Sequence, residues 1–319
     1  MTGIAPRGRG HAADQAACRR SEGATPVSVD PRPADAVIAW YDVHARDLPW
    51  RDPGASPWAV LVSEVMLQQT PVARVRPVWE SWVRRWPAAA DLAADSRGEA
   101  VRAWGRLGYP RRALRLHEAA TAITGRYAGQ VPADLPSLLA LPGVGDYTAR
   151  AVACFAYGQR HAVVDTNVRR LVARAVLGRA EPALQSAARE MALVEALLPA
   201  EPAQAKRFSV AAMELGALVC TARAPACPAC PIRSRCAWQS AGRPAHDGPV
   251  RPAQRFTGTD RQVRGLLLDV LRRSPDAVPT EALVAVWDDW QQRHRALASL
   301  VDDGLIAARP DGSYSLPDC

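Results

Sequence analysis

Lysine is almost missing from this chain. Lys206 is the only one, so arginine supplies the rest of the 40 basic side chains. Chemistry that needs an amine has Lys206 or the amino terminus to draw on. The bias itself reads as genome composition, since alanine and proline are abundant too. Long apolar runs are missing as well: none reaches the ~18 residues of a membrane span. The opening MTGIAPRGRGHAADQAACRR lacks the apolar stretch of an export signal. Cysteine is scattered outside one late cluster, at Cys18, Cys154 and Cys319, and a chain this long without an export signal does not read as a disulfide scaffold. A reduced, cytoplasmic compartment without membrane contact is therefore expected, in which clustered cysteines point to metal.

What is present is a hydrophobic content of 48%, enough for a sizeable core, and a formal charge of +8 that suits a polyanionic partner without proving one. Residues 1–32, rich in Gly, Ala, Pro and Arg without periodicity, are expected to form a disordered tail. Helical patterns separated by Pro and Gly fill 33–238, with Ser56-Pro57 a helix start, so the main body is expected to be mainly α. A polar, Pro/Gly-rich linker spans 239–258. Over 259–319, RQVRGLLLDVLRR and PTEALVAVWDDWQQRHRALASLVDDG read as amphipathic helices and LIAARPDGSYSL as strand, Asp-Gly turn, strand. That end of the chain reads as a small winged-helix-like unit or as a generic helical cap with a hairpin.

The late cluster places Cys220, Cys227, Cys230 and Cys236 in a C-x6-C-x2-C-x5-C loop stiffened by Pro225, Pro228 and Pro231. Zinc and a 4Fe-4S cluster both accept four thiolates. Zinc sites usually come as two short knuckles, and here only Cys227 and Cys230 form one. In LPGVGDYTA, Gly143 and Gly145 join two helices; glycine permits a tight turn and close backbone approach, and the amides that follow suit a phosphate. Asp165 ends the apolar run in HAVVDTNVRR, where it reads both as a helix N-cap and as a catalytic carboxylate. Glu64, in LVSEVMLQQT, is the one charged residue between Pro53 and Ala73. On a helix apolar nearly all round, desolvation should raise its pKa and keep it protonated near neutrality; the alternative is a buried carboxylate bonded to backbone amides.

Taken together these segments resemble the adenine DNA glycosylases of the endonuclease III-like helix–hairpin–helix superfamily. The resemblance covers about 34–238, through WYDVHARDLPWR, SEVMLQQTPVARV, WGRLGYPRRALRLHEAA, LPGVGDYTARAV, VVDTNVRRL, MELGALVC and the cysteine loop. It implies a helix–hairpin–helix glycosylase fold with a 4Fe-4S cluster on the four cysteines, and removal of adenine mispaired with 8-oxoguanine or guanine in double-stranded DNA. It further implies catalytic roles for Glu64, Asp165 and Tyr147. Gln69 matches the wedge that fills the gap left by a flipped base, and Tyr109 the aromatic inserted beside 8-oxoguanine. Thr70, Gly143, Gly145 and Asn167 are expected on the DNA side, and Trp50 with Arg51 in the base pocket. Arg111 and Arg112 read as phosphate contacts or as a solvated basic face. Where related enzymes that also cut the strand carry a lysine, this chain has Tyr147, so a glycosylase without lyase activity is expected, acting as a monomer.

The resemblance stops at the C-terminus. The last 80 or so residues are too few for the Nudix-like domain with which many relatives read 8-oxoguanine, and the unit there is expected to add DNA grip or a protein contact. Two other readings compete: a glycosylase for another base, such as thymine in T:G pairs, against which Glu64 and Gln68-Gln69-Thr70 argue, and a DNA-binding module without activity, against which both carboxylates argue.

Overall fold

The computed structural model describes residues 32–183, 187–246, 248 and 255–318. The tail expected over 1–32 falls almost wholly outside them, as does the middle of the expected linker. Proline, glycine and short polar caps set the helix ends. Ser56 caps the helix that follows it, its side chain accepting from the Ala59 amide, with Pro57 at the first helical position. Asp134 and Asp165 do the same for later helices.

The helices in chain order are α1 (Arg32–His44), α2 (Pro57–Leu67), α3 (Val72–Arg85), α4 (Ala89–Ala94), α5 (Arg97–Trp104) and α6 (Arg111–Arg126). There follow α7 (Leu135–Leu139), α8 (Asp146–Phe155), α9 (Thr166–Ala175), α10 (Ala187–Leu197), α11 (Pro202–Leu218) and the short α12 (Ala237–Ser240). The expected mainly α body is what forms. Among the described residues no helix is long and apolar enough to cross a membrane.

Two large apolar cores hold these helices together, and they interleave along the chain. One gathers residues between 48 and 153 with residues between 263 and 316. The other joins Ala34, Val37 and Ile38 of α1 to residues between 162 and 232. Helix α2 lies wholly inside the first core, every residue from Trp58 to Met66 being buried, as its near-uniform apolar sequence requires.

The C-terminal segment comprises α13 (Asp260–Arg273), β1 (Val278–Pro279), α14 (Thr280–Val284), α15 (Trp290–Asp302), β2 (Ala307–Ala308) and β3 (Ser313–Ser315). The strands form an antiparallel sheet in the order β1-β3-β2, so helix, strand, helix, helix, strand, strand follow in winged-helix order. The expected hairpin is β2–β3. The single helix expected over 279–304 is instead two, because Asp289 starts a new one by accepting from the Gln292 amide at 3.0 Å.

This unit is not a free appendage. Val263, Leu267, Leu268 and Leu271 of α13 belong to the same core as α5 and α6. Arg102 of α5 donates to the carbonyls of Arg272 and Ser274, and Arg272 donates back to Val101 O at 2.9 Å. Gly98 must be glycine here: a Cβ would lie 2.7 Å from Pro317 O.

Candidate active site

Glu64 sits on α2 with 5% of its surface exposed, and the Tyr147 hydroxyl donates to its Oε2 at 3.0 Å. Tyr147 comes from the first turn of α8, which packs on α2. A second tie, Gln68 Nε2 to Thr148 Oγ1 at 3.2 Å, fixes the end of α2 against the same turn. Burial lifts Glu64 to about 7, reinforced by Asp165, while the Tyr147 hydrogen bond and Arg51 pull the other way. The acid is therefore substantially protonated near neutrality. Burial also drives the Tyr147 hydroxyl well above its usual range, with Glu64 and Asp165 adding to the rise, so it remains a donor.

Asp165 faces the same pair from the N-terminus of α9. Its Oδ1 accepts from the Val168 amide and its Oδ2 from Asn167 Nδ2, both at 2.7 Å. It caps α9 and also lies within electrostatic reach of Glu64 and Tyr147. Its pKa is raised rather than held down as a helix N-terminus alone would suggest, because burial outweighs those donors and Arg170. The donors on both oxygens are nonetheless those an ionised carboxylate requires. Asn167, expected at the DNA, is committed to Asp165 and to Arg170, whose Nη2 it accepts at 2.9 Å. Gly216 on α11 permits this approach, since a Cβ there would meet Asn167 at 2.8 Å.

Trp50 and Arg51, expected in the base pocket, have different surroundings. Trp50 is buried in the core, edge-on to Trp79 with centroids 5.6 Å apart. Arg51 donates through Nη2 to Glu214 Oε2 at 2.8 Å, and its buried Nη1 has no hydrogen-bond partner. Glu214, fully buried on α11, also takes the Arg46 backbone amide and two guanidinium donors, Nε at 2.7 Å and Nη2 at 2.8 Å. Burial alone would raise its pKa, yet these two arginines bring it down to about 2. The motif MELGALVC had contained Glu214 and Gly216, but nothing in its spacing distinguishes a buried counter-ion from a core-facing glutamate.

The hairpin joins α7 to α8. Gly143 has φ +75 and its missing Cβ would sit 2.7 Å from Arg115 Cβ. Gly145 is an extended N-cap with φ −95, open to space on its Cβ side. On the same rim, Gln69 and Tyr109 are exposed and both have φ +54, a left-handed backbone that only a fixed surrounding holds in a non-glycine residue. Thr70, expected on the DNA side, closes the turn after α2. It is buried, its hydroxyl donating to Gln68 O and accepting from Arg112. Arg112 points inward as well, and Arg111 pairs with Asp303 at 3.1 Å, so neither is a free cation awaiting phosphate.

Cys220, Cys227, Cys230 and Cys236 line one cavity with Leu171, Ala175, Val219 and Ile232. Burial pushes the Cys230 thiol up to about 11, with the other three thiols adding to it, so the four lie within electrostatic reach of one another. Among the described residues no group of His, Cys, Asp or Glu is arranged to hold a single metal ion. An all-sulfur donor set around one cavity, with Arg174 and Arg233 beside it, fits an iron–sulfur centre. Helix α9 ties this loop to the carboxylate site: Arg170 donates to Cys220 O at 2.7 Å, and Arg174 to Thr221 O at 2.7 Å and Cys220 Sγ at 3.5 Å.

A family model described as HhH-GPD superfamily base excision DNA repair protein matches residues 62–196. The adenine DNA glycosylase of Mycobacterium tuberculosis is 57% identical over 282 residues, which is 88% of this chain and 92% of that one. Among solved structures, a thermostable thymine-DNA glycosylase superposes with a TM-score of 0.60 at 27% identity, over 66% of this chain and 96% of that one. A trapped endonuclease III–DNA covalent intermediate does so with a TM-score of 0.57 at 22% identity, over 67% and 99%, a likeness of fold.

Proposed function

The chain belongs to the adenine DNA glycosylase family, and on that premise we propose that it hydrolyses the N-glycosidic bond of adenine mispaired with 8-oxoguanine or guanine in double-stranded DNA. It is a DNA N-glycosylase of base excision repair. The observation that supports this excision chemistry is a buried Glu64 held by the Tyr147 hydroxyl, with Asp165 close enough to act on both electrostatically.

Breaking the bond leaves the C1′–N9 electron pair on the base and positive charge on the sugar. Glu64 gives its proton to adenine N7, making the base a better leaving group. Asp165 faces the sugar and stabilises the oxocarbenium-like centre until water adds at C1′ and gives up a proton to the now ionised Glu64. This is the two-carboxylate division of labour seen in glycoside hydrolysis. Tyr147 holds Glu64 by its hydroxyl and offers no amine to the sugar, which supports base removal without strand cutting. An adenine must leave the stack before any of this. The exposed Gln69 and Tyr109 are assigned to the gap it leaves and to the opposite base, with Gly143 and Gly145 at the backbone and Arg51 Nη1 a donor for the base. Cys220, Cys227, Cys230 and Cys236 would hold a 4Fe-4S cluster, which supplies a rigid, redox-capable centre bracing the loop. The protein is proposed to act as a monomer.

The test is single-turnover adenine release from A:8-oxoG, A:G and T:G duplexes, with Glu64→Gln and Asp165→Asn alongside. Release of adenine from the first two, lost in both variants, is expected. Thymine release, or activity surviving both substitutions, overturns the reading.

A further inference from the structure

Arg112 is the second residue of α6, and its guanidinium is turned away from solvent into the junction of two turns. Nη1 donates to the carbonyls of Val65 at 2.7 Å, Met66 at 3.3 Å and Gln68 at 2.6 Å. Nη2 donates to Thr70 Oγ1 at 3.1 Å and to Gly108 O at 2.7 Å. The cation thus satisfies the free carbonyls at the C-terminus of α2, the helix that carries Glu64, where a positive charge is favoured. It also bridges from the turn holding Gln69 to the turn holding Tyr109. The carbon at its head lies 5.4 Å from the ring centroids of both Tyr109 and Trp104.

The two turns it joins are the two exposed segments with left-handed non-glycine residues on this rim. Each such residue holds a backbone that is strained when unsupported. One planar fork holds both, and lysine, a point charge with three donors, has no such reach.

We propose that Arg112 is a positioning residue that couples the Gln69 and Tyr109 turns, so that seating of one wedge beside the opposite base sets the other for extrusion of the adenine. The inference rests on the glycosylase reading for the roles of the two wedges. It makes opposite-base recognition and base extrusion one event transmitted through a single side chain, and ties both to the end of the helix that presents Glu64.

The experiment is a pair of double-mutant cycles. Gln69→Ala and Tyr109→Ala are made singly and together, in the native chain and in Arg112→Lys. Two quantities are measured: adenine excision from A:8-oxoG and A:G duplexes, and the emission of a duplex carrying 2-aminopurine at the target position. In the native chain the two substitutions are expected to be non-additive by about 3- to 30-fold. In Arg112→Lys they are expected to add within about twofold, with the preference for 8-oxoguanine over guanine reduced about tenfold. Additive effects in the native chain, or non-additivity that survives Arg112→Lys, overturn the proposal. Absence of adenine release from the native chain overturns the glycosylase reading alone, because the emission cycle still decides the coupling. If Arg112→Lys does not fold, Thr70→Val removes one partner of Nη2 and carries the same cycle.

Discussion

Replacing Glu64 with glutamine separates what this side chain does to the fold from what it does in the reaction. A glutamate in the unfolded chain titrates near 4.5, and burial in the folded protein lifts Glu64 to about 7. A carboxyl with a raised folded pKa favours the folded state while protonated. That contribution is complete below 4.5 and is lost as the pH rises through about 7. The rise corresponds to on the order of 3 kcal/mol, withdrawn from the fold once the group is forced to ionise. Glutamine is neutral throughout, and its carbonyl still accepts the Tyr147 hydroxyl. At about pH 8 Glu64→Gln should therefore be more stable than the parent by on the order of 3 kcal/mol, with the difference closing toward pH 4.5. Urea unfolding at the two pH values reads this directly, provided the slopes match. The same variant should release no adenine, and the parent's rate should fall as pH rises through about 7. An equal stability gap at both pH values, or a variant weaker than the parent at the higher one, would refute the desolvation argument.

Gly143→Ala should lower stability by about 1–3 kcal/mol in a thermal melt, from its left-handed backbone and the contact with Arg115. Gly145→Ala should leave the melt unchanged and weaken duplex binding instead, since its Cβ would point into open space. Glu214→Gln leaves Arg46 and Arg51 without their buried counter-charge and should cost about 3–5 kcal/mol. It should also move the alkaline limb of the excision profile to lower pH, because an uncompensated Arg51 favours ionised Glu64. Cys230→Ser should purify with less iron and lower visible absorbance, and lose activity through α9, which links the loop to Asp165.

The parts of the fold legible in the sequence were those written in residues with few physical alternatives. Ser56-Pro57 could only start a helix, Gly143 needs its positive φ, and a lone glutamate in an apolar helix announces its own desolvation. Side chains whose meaning depends on what the fold brings opposite them were not legible. Thr70 and Asn167 look like surface polar residues until one closes a turn and the other supports Asp165. Arg112 looks like one more arginine among many. Trp50 packs in the core, which its place in LPWR does not announce. Asp289 within VWDDW splits a helix, and a two-residue strand at Val278–Pro279 carries no alternation to detect.

The interleaving of the two cores bears on how the protein is made. Helix α1 leaves the ribosome well before its burial partner α11. The Arg46–Glu214 pair closes a gap of 168 residues. During synthesis α1 has no apolar surface of its own core to rest on, and the core around α2 waits in turn for α13. Neither half can be finished before the other is under way, so the nascent chain must carry exposed apolar faces for most of its length. Chaperone demand during translation, more than the stability of the finished enzyme, is where this topology should be felt.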